Sequence, residues 1–346
     1  MDELRQWIRA AEAARVTCLN VPEFDALIRH QTQRLEGSKG NRVTTTDKSE
    51  RWNREVLAFL DRQYPKAPDY KGSLASVWEK YLALGLPNAH FVSEFTSGKK
   101  EVVFQRAWEM MLARHLDAQG HRLTTSDEGP DFRFEHNGLT VWVEAVSPEP
   151  KGVPDDWLEH PKPNEFKVGD VPHTEVLLRW TSALKEKWEK LNKYREKKIV
   201  GENDAYVIAV NGCQLGAFAL QHGVSGRPYA VEAVYALGPV AIPIDKETGR
   251  VGKSFVTQRL NIANAKGAPV PTSLFLDPKY SGVSAIIACS MDRSTEASLP
   301  VDVVHNHFAS VPVPERILGS AGEEWVTDPV GTAGEEIELR RLEPLE

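Results

Sequence analysis

Cysteine is scarce in this chain: Cys18, Cys213 and Cys289 are widely spaced and no CxxC occurs. That excludes a disulfide framework and a thiolate zinc site, and makes a reducing cytoplasm the expected compartment. Long apolar runs are also missing, and none approaches the length of a membrane span, so no membrane partner is expected. The opening segment MDELRQWIRAAEAARV is polar and helical, not a basic stretch leading into an apolar one, so no signal peptide is expected. Excess positive charge is absent as well. A formal net charge of −7 excludes a protein that coats nucleic acid non-specifically, and leaves only a local patch for such a partner. No Walker A loop, Rossmann glycine fingerprint or GxSxG elbow is present, and Ser284 and Ser290 beside Cys289 lack an accompanying His/Asp arrangement. There is no internal repeat and no low-complexity tract.

What remains is ordinary globular material, 41% hydrophobic and 26% charged over 346 residues, enough for two domains or one domain with a helical extension. Residues 1–95 read as a helical region of four amphipathic segments, with Ser49 and Ser73 placed as N-caps. Between them GSKGNRVTTTDK (37–48) reads as an exposed loop. Residues 96–346 read as an α/β domain with a Pro-rich, irregular C-terminal extension from VVHNHFASVPVP onward. Its elements are an amphipathic helix over KEVVFQRAWEMMLARHLDAQG with Gly120 as its C-cap, and then the strands DFRFEH and LTVWVEAVS joined through Asn137-Gly138. A long Pro-rich acidic loop (148–172) and a long helix over 173–198 follow. The strand AYVIAVNG, a short helix in CQLGAFALQHG, and the strand VSAIIACSM complete the set. This order implies an α/β fold with a mixed central sheet.

The chemistry concentrates in GPDFRFEHNGLTVWVEAVSP. Asp131 ends a turn, and Glu144 sits inside an apolar β-run of Val141, Trp142, Val143, Ala145 and Val146. A carboxylate in such a strand needs a partner, and a divalent cation shared with Asp131 is the obvious one. Oxygen ligands suit Mg²⁺ or Mn²⁺. The plainer alternatives are an Asp131 that only caps a turn and a Glu144 on an edge strand facing water. His305-Asn306-His307 could present two imidazoles on one strand face, but no third ligand stands out and a structural role is expected.

The arrangement helix–Pro130-Asp131–strand–turn–Glu144-Ala145-Val146–helix–strand resembles the PD-(D/E)xK nuclease-like superfamily over roughly residues 100–212. The resemblance implies a restriction-endonuclease-like core and metal-dependent phosphodiester hydrolysis of nucleic acid, with DNA the expected partner. It implies that Asp131 and Glu144 hold the metal, that the main-chain carbonyl of the third motif residue, Val146, adds a ligand, and that a Glu on the first helix completes the site. Glu109 is the candidate for that Glu, and Glu101 sits at the helix start where it simply complements the dipole.

The chain departs from that pattern where Val146 replaces the motif Lys. The resemblance allows a Lys on the following helix to take its place. Leu177, Trp180, Leu184, Lys187, Leu191 and Tyr194 share one stripe by their spacing, so Lys187 is expected to face inward, with Lys185 as the alternative. The helix segment 185–198 carries seven basic and three acidic residues, which as a charge run also reads as a solvated face. If neither lysine serves, the fold is expected to be a catalytically inactive module that binds nucleic acid or protein.

Overall fold

A computed structural model describes residues 42–162, 168–217, 221–319, 321–330 and 336–343. The chain divides into two compact units, Met1–Glu55 and Val56–Glu346. Of the first, the described part is the N-terminal portion of helix α1 (Arg42–Gln63). The helices expected before residue 42, and Cys18, lie outside the described residues. The exposed loop expected over 37–48 is corrected for its described part, because residues 42–48 are already helical and Ser49 lies within α1 rather than capping it. Once a helix is nucleated each further residue costs little, so a run of weak helix formers such as Thr44–Thr46 can be carried along.

The second unit begins on the helical side of its sheet. Helices α2 (Pro68–Ala83), α3 (Ala89–Phe95) and α4 (Lys100–Ala118) pack against one another. Pro68 opens α2, since its locked φ suits a first turn that needs no N–H, so Ser73 is not the expected cap. It is buried, and its hydroxyl donates to the Ser294 carbonyl at 3.0 Å. Asn88 caps α3 by accepting the Phe91 N–H at 2.8 Å. Gly120, at φ +85°, lies just past α4 in the left-handed region.

The central sheet is mixed and has seven strands. Strands β1 (Phe132–His136) and β2 (Leu139–Val146) form the expected hairpin, with Asn137 and Gly138 both at positive φ in its two-residue turn. Strands β3 (Ala205–Asn211) and β8 (Ala285–Cys289) follow in parallel and are buried along their whole length. Their continuous apolar runs are what strands covered on both faces require. Phe132 and Phe134, opposite Val143 and Val141, turn toward the helices on one face, where Tyr81 meets the Phe132 ring edge-on. Trp142 and Val146 turn the other way, with Tyr206, Ile208 and Val210 of β3. That face is covered by helix α6 (His173–Glu196) and helix α7 (Tyr229–Val234), and a one-turn helix α5 (Asp155–Leu158) lies in the preceding loop.

Two small ribbons, β4 (Leu237–Ala241) with β5 (Phe255–Gln258) and β6 (Asn261–Ala263) with β7 (Pro269–Pro271), stand apart from the main sheet. The irregular C-terminal extension is a second correction. β9 (Asp302–His305), β10 (Glu324–Val330) and β11 (Glu336–Arg341) extend the central sheet, whose order is β1-β2-β3-β8-β9-β10-β11. Pro312 and Pro314 fall in the connection, and Pro329 lies beyond the short β9–β10 pairing, where a missing N–H costs no ladder bond to β9. The short helix expected after β3 is absent among its described residues. There Asn211 accepts the Cys213 N–H at 3.0 Å and the Leu215 N–H reaches the Gly212 carbonyl at 2.9 Å, which makes a turn.

The seating of α6 sets the geometry of the site. Its first residue, His173, donates to the fully buried Glu232 carboxylate at 2.5 Å, and Arg259 and the Ser225 N–H hold the same carboxylate. Along the helix, Val176, Leu177, Trp180, Ala183, Leu184 and Leu191 are buried against the sheet. Burying a Leu-sized side chain contributes about 1.5–3 kcal/mol, so the rotation of α6 about its axis is firmly set.

Candidate active site

β1 begins one residue after Asp131. Continuing the β1–β2 register, in which Phe132 pairs with Val143, sets Asp131 opposite Glu144 and Pro130 opposite Ala145. Directly opposed residues project to the same face of the sheet. Pro130 has no N–H to offer, so the carbonyl of Ala145 must find another donor. The Ala145 N–H donates to the Asp131 carboxylate at 2.8 Å, and its carbonyl accepts from the Gln105 side chain at 3.2 Å. Successive residues of a strand turn their main-chain groups to opposite sides, so Val146 directs its carbonyl toward β3. The carbonyl beside Asp131 therefore belongs to Ala145 and not to Val146, which is also among the residues that line the cavity.

Helix α4 closes this end of the hairpin. Gln105 accepts the Ser147 N–H at 2.8 Å while its amide donates to Glu109 at 2.9 Å and to Ala145. Glu109 is buried and also receives Arg106 at 2.5 Å, and Arg106 reaches Glu94 with its other nitrogen. From the opposite side α6 presents its cations to Glu144. Lys187 Nζ lies 3.1 Å and Lys190 Nζ 2.7 Å from Glu144 Oε1, and the Tyr194 hydroxyl lies 3.2 Å from Oε2. Glu144 is only 1% exposed, so this pairing is what makes its burial tolerable.

Gln105, Arg106, Glu109, Asp131, Glu144, Lys187 and Lys190 line one cavity of about 390 Å³. Pro148, Glu149 and Lys151, from the acidic loop, form part of its rim, and Arg179 Nε donates to the Glu149 carbonyl at 2.8 Å. Electrostatics inside are strained. Burial, then the neighbouring Glu109 and Glu144 charges, push the Asp131 carboxyl well above the usual carboxylate range, against the Ala145 N–H and Lys187, which favour the ion. Burial and Glu144 push Glu109 the same way, against Arg106 and Gln105. Burial lowers the Lys190 pKa, but the Glu144, Asp131 and Glu109 charges outweigh it and hold the ammonium above its ordinary value.

Of the residues singled out in the sequence, Asp131, Glu144, Lys187, Glu109 and Val146 all reach this cavity. Lys185 does not. Its side chain is 64% exposed and pairs loosely with Glu189, at 3.9 Å. Lys190, Tyr194, Gln105 and Arg106 were not expected as parts of the site. Lys190 and Tyr194 follow Lys187 by three and seven residues, and that spacing is the one sequence signal that places them beside it. His305 and His307 are held apart, the first by Glu324 at 2.7 Å and the second by the Thr327 hydroxyl at 2.9 Å. Burial lifts the Cys213 and Cys289 thiols to about 12, far from the thiolate a nucleophile needs at neutral pH.

Among the described residues, no three His, Cys, Asp or Glu side chains stand ready to hold a metal ion as they are. The reason is visible in the pairing: Glu109 is drawn to Arg106 and Gln105, and Glu144 to two lysines. No described helix is long and apolar enough to cross a membrane. No family model, curated protein or solved structure matches this chain.

Proposed function

We propose that the cavity is a metal-dependent phosphodiesterase site acting on nucleic acid, with DNA the favoured substrate, in a core of the restriction-endonuclease-like kind. The observation that carries the reading is the opposition of Asp131 and Glu144 at the end of the β1–β2 ladder, with the Ala145 main chain between them and Lys187 on Glu144. The donor set suits a hard divalent cation such as Mg²⁺ or Mn²⁺: two carboxylates and a main-chain carbonyl, in a site where burial, and then the Glu109 and Glu144 charges, keep Asp131 from ionising easily. Asp131, Glu144 and the Ala145 carbonyl would hold it, with Glu109 behind them. Such an ion supplies Lewis acidity to the phosphate and acidifies a water.

The chain's own residues account for the rest. In hydrolysis a water oxygen bonds to phosphorus, the bond to the leaving oxygen breaks, one water proton is lost, and the leaving oxygen gains one. Lys187, beside Glu144 and largely enclosed, is placed to orient the water and to neutralise charge on the phosphate. Arg179 and Lys151 at the rim offer cations to a flanking phosphate.

A second reading, a nucleic-acid- or protein-binding module without catalysis, is favoured by the charge compensation of Glu144 and Glu109 by Lys187, Lys190 and Arg106. The two readings separate in one assay. The purified full chain is incubated with plasmid and with single-stranded DNA, in Mg²⁺, in Mn²⁺ and in EDTA. Cleavage that requires the ion and disappears in Asp131→Ala supports the enzyme. Binding to DNA without cleavage under all conditions supports the module.

A further inference from the structure

We infer that Lys190 is the displaceable cation of this site: it holds Glu144 in the metal-free protein, gives way when a divalent ion arrives, and then offers its ammonium to the phosphodiester. The inference rests on the metal-dependent reading above. It starts from the oxygens of Glu144. Oε1 carries two ammonium groups and Oε2 faces a hydroxyl, so an incoming cation meets like charge at close range. One of the two lysines has to leave.

The two lysines are not equivalent. The Lys187 side chain is 12% exposed, and lies on the buried stripe between Leu184 and Leu191. Its main-chain carbonyl is held by the Tyr206 hydroxyl at 3.2 Å. Moving its ammonium off Glu144 would leave a largely buried charge without this partner, and the exposed Glu186 at 4.0 Å is a loose substitute. The Lys190 side chain is 43% exposed, so its ammonium can be rehydrated once it lets go. It also has another place to rest, because Nζ lies 5.4 Å from the centroid of the Tyr194 ring.

The second oxygen can be freed as easily. Tyr194 has one hydroxyl hydrogen and two acceptors within reach, Glu144 Oε2 at 3.2 Å and the Gly129 carbonyl at 3.1 Å. Turning that hydrogen to Gly129 releases Oε2 without stranding a buried donor. Both changes leave the backbone in place, and the ammonium that is released stays at the cavity that a phosphate would enter.

The test is Mn²⁺ binding by calorimetry to the full-length parent, Lys190→Ala and Lys190→Arg. Loss of a competing charge-assisted hydrogen bond should tighten Mn²⁺ binding in Lys190→Ala by roughly tenfold. Lys190→Arg keeps the cation and should bind within about twofold of the parent. A short phosphodiester such as a thymidine dinucleotide, titrated into the Mn²⁺-loaded proteins, should bind more weakly to Lys190→Ala than to the parent. Parent-like or weaker Mn²⁺ affinity in Lys190→Ala would overturn the role of Lys190 while leaving the metal site standing. Absence of Mn²⁺ binding by all three proteins would overturn both.

Discussion

The main-chain N–H of Ala145 donates to the Asp131 carboxylate at 2.8 Å, at the rung of the hairpin where Pro130 has no hydrogen to give. A proline and an aspartate in sequence thus do two jobs. The first stops the ladder, and the second caps the strand that continues. The cap is electrostatically costly, because burial and the Glu109 and Glu144 charges raise the Asp131 pKa well above the usual range.

The cost has a sign that can be measured. A carboxyl whose folded pKa lies above its unfolded value stabilises the fold least where it is ionised, so stability falls as pH rises from the ordinary carboxylate range through the raised pKa. Asp131→Asn keeps an acceptor for the Ala145 N–H and removes the charge. In EDTA at neutral pH it should be more stable than the parent by about 1 kcal/mol. Urea unfolding as a function of pH should show the gap closing as the pH falls into the ordinary carboxylate range.

Glu144 should behave in the opposite way. Removing its carboxylate takes the closest acidic partner from the enclosed Lys187 ammonium. Glu144→Ala should lose about 2–4 kcal/mol of metal-free stability, as expected when one partner of a buried pair is deleted. Chemical denaturation in EDTA, with Asp131→Asn run beside it, checks the contrast between two carboxylates on one rung.

Gln105 ties α4 to the end of β2 through Ala145, Ser147 and Glu109. Gln105→Ala leaves the Ala145 carbonyl and the Ser147 N–H buried without this partner, which should cost about 1–3 kcal/mol. If the site reading holds, metal-dependent cleavage should fall as well, since Glu109 loses one of the groups that position it. Unchanged stability would mean that water takes over all three bonds.

Lys187 and Lys185 separate transition-state chemistry from surface charge. Lys187→Ala should slow metal-dependent cleavage by about a hundredfold or more, with DNA affinity nearly intact. Lys185→Ala, on an exposed face away from the cavity, should match the parent in cleavage. Single-turnover rates and binding isotherms, measured on the same DNA, give the ranking. The reverse ranking would move the role to Lys185.

The hairpin was legible because Asn137-Gly138 between two β-like runs is a local signal, and local signals survive folding. Lys187 was legible because it interrupts an apolar helical stripe. Lys190 was hidden in the same helix by its neighbours, since a lysine among charges looks solvated until the buried Glu144 beneath it is known. The exchange of Val146 for Ala145 as the carbonyl beside Asp131 depends on strand register, which motif spacing does not carry. The C-terminal strands were missed for a related reason. β9 is short and owes its place to pairing with β8 earlier in the chain, and β10 and β11, beyond a Pro-rich connection, join the sheet only through β9.

The central claim is that Asp131 and Glu144 together hold one divalent ion. Calorimetric titration of Mn²⁺ into the full-length parent and into Asp131→Asn tests it most directly, because the variant is expected to fold at least as well as the parent. The account predicts saturable binding near one ion per chain in the parent and a loss of at least about tenfold in affinity in Asp131→Asn. Equal binding by both proteins, or no binding by the parent, would contradict it.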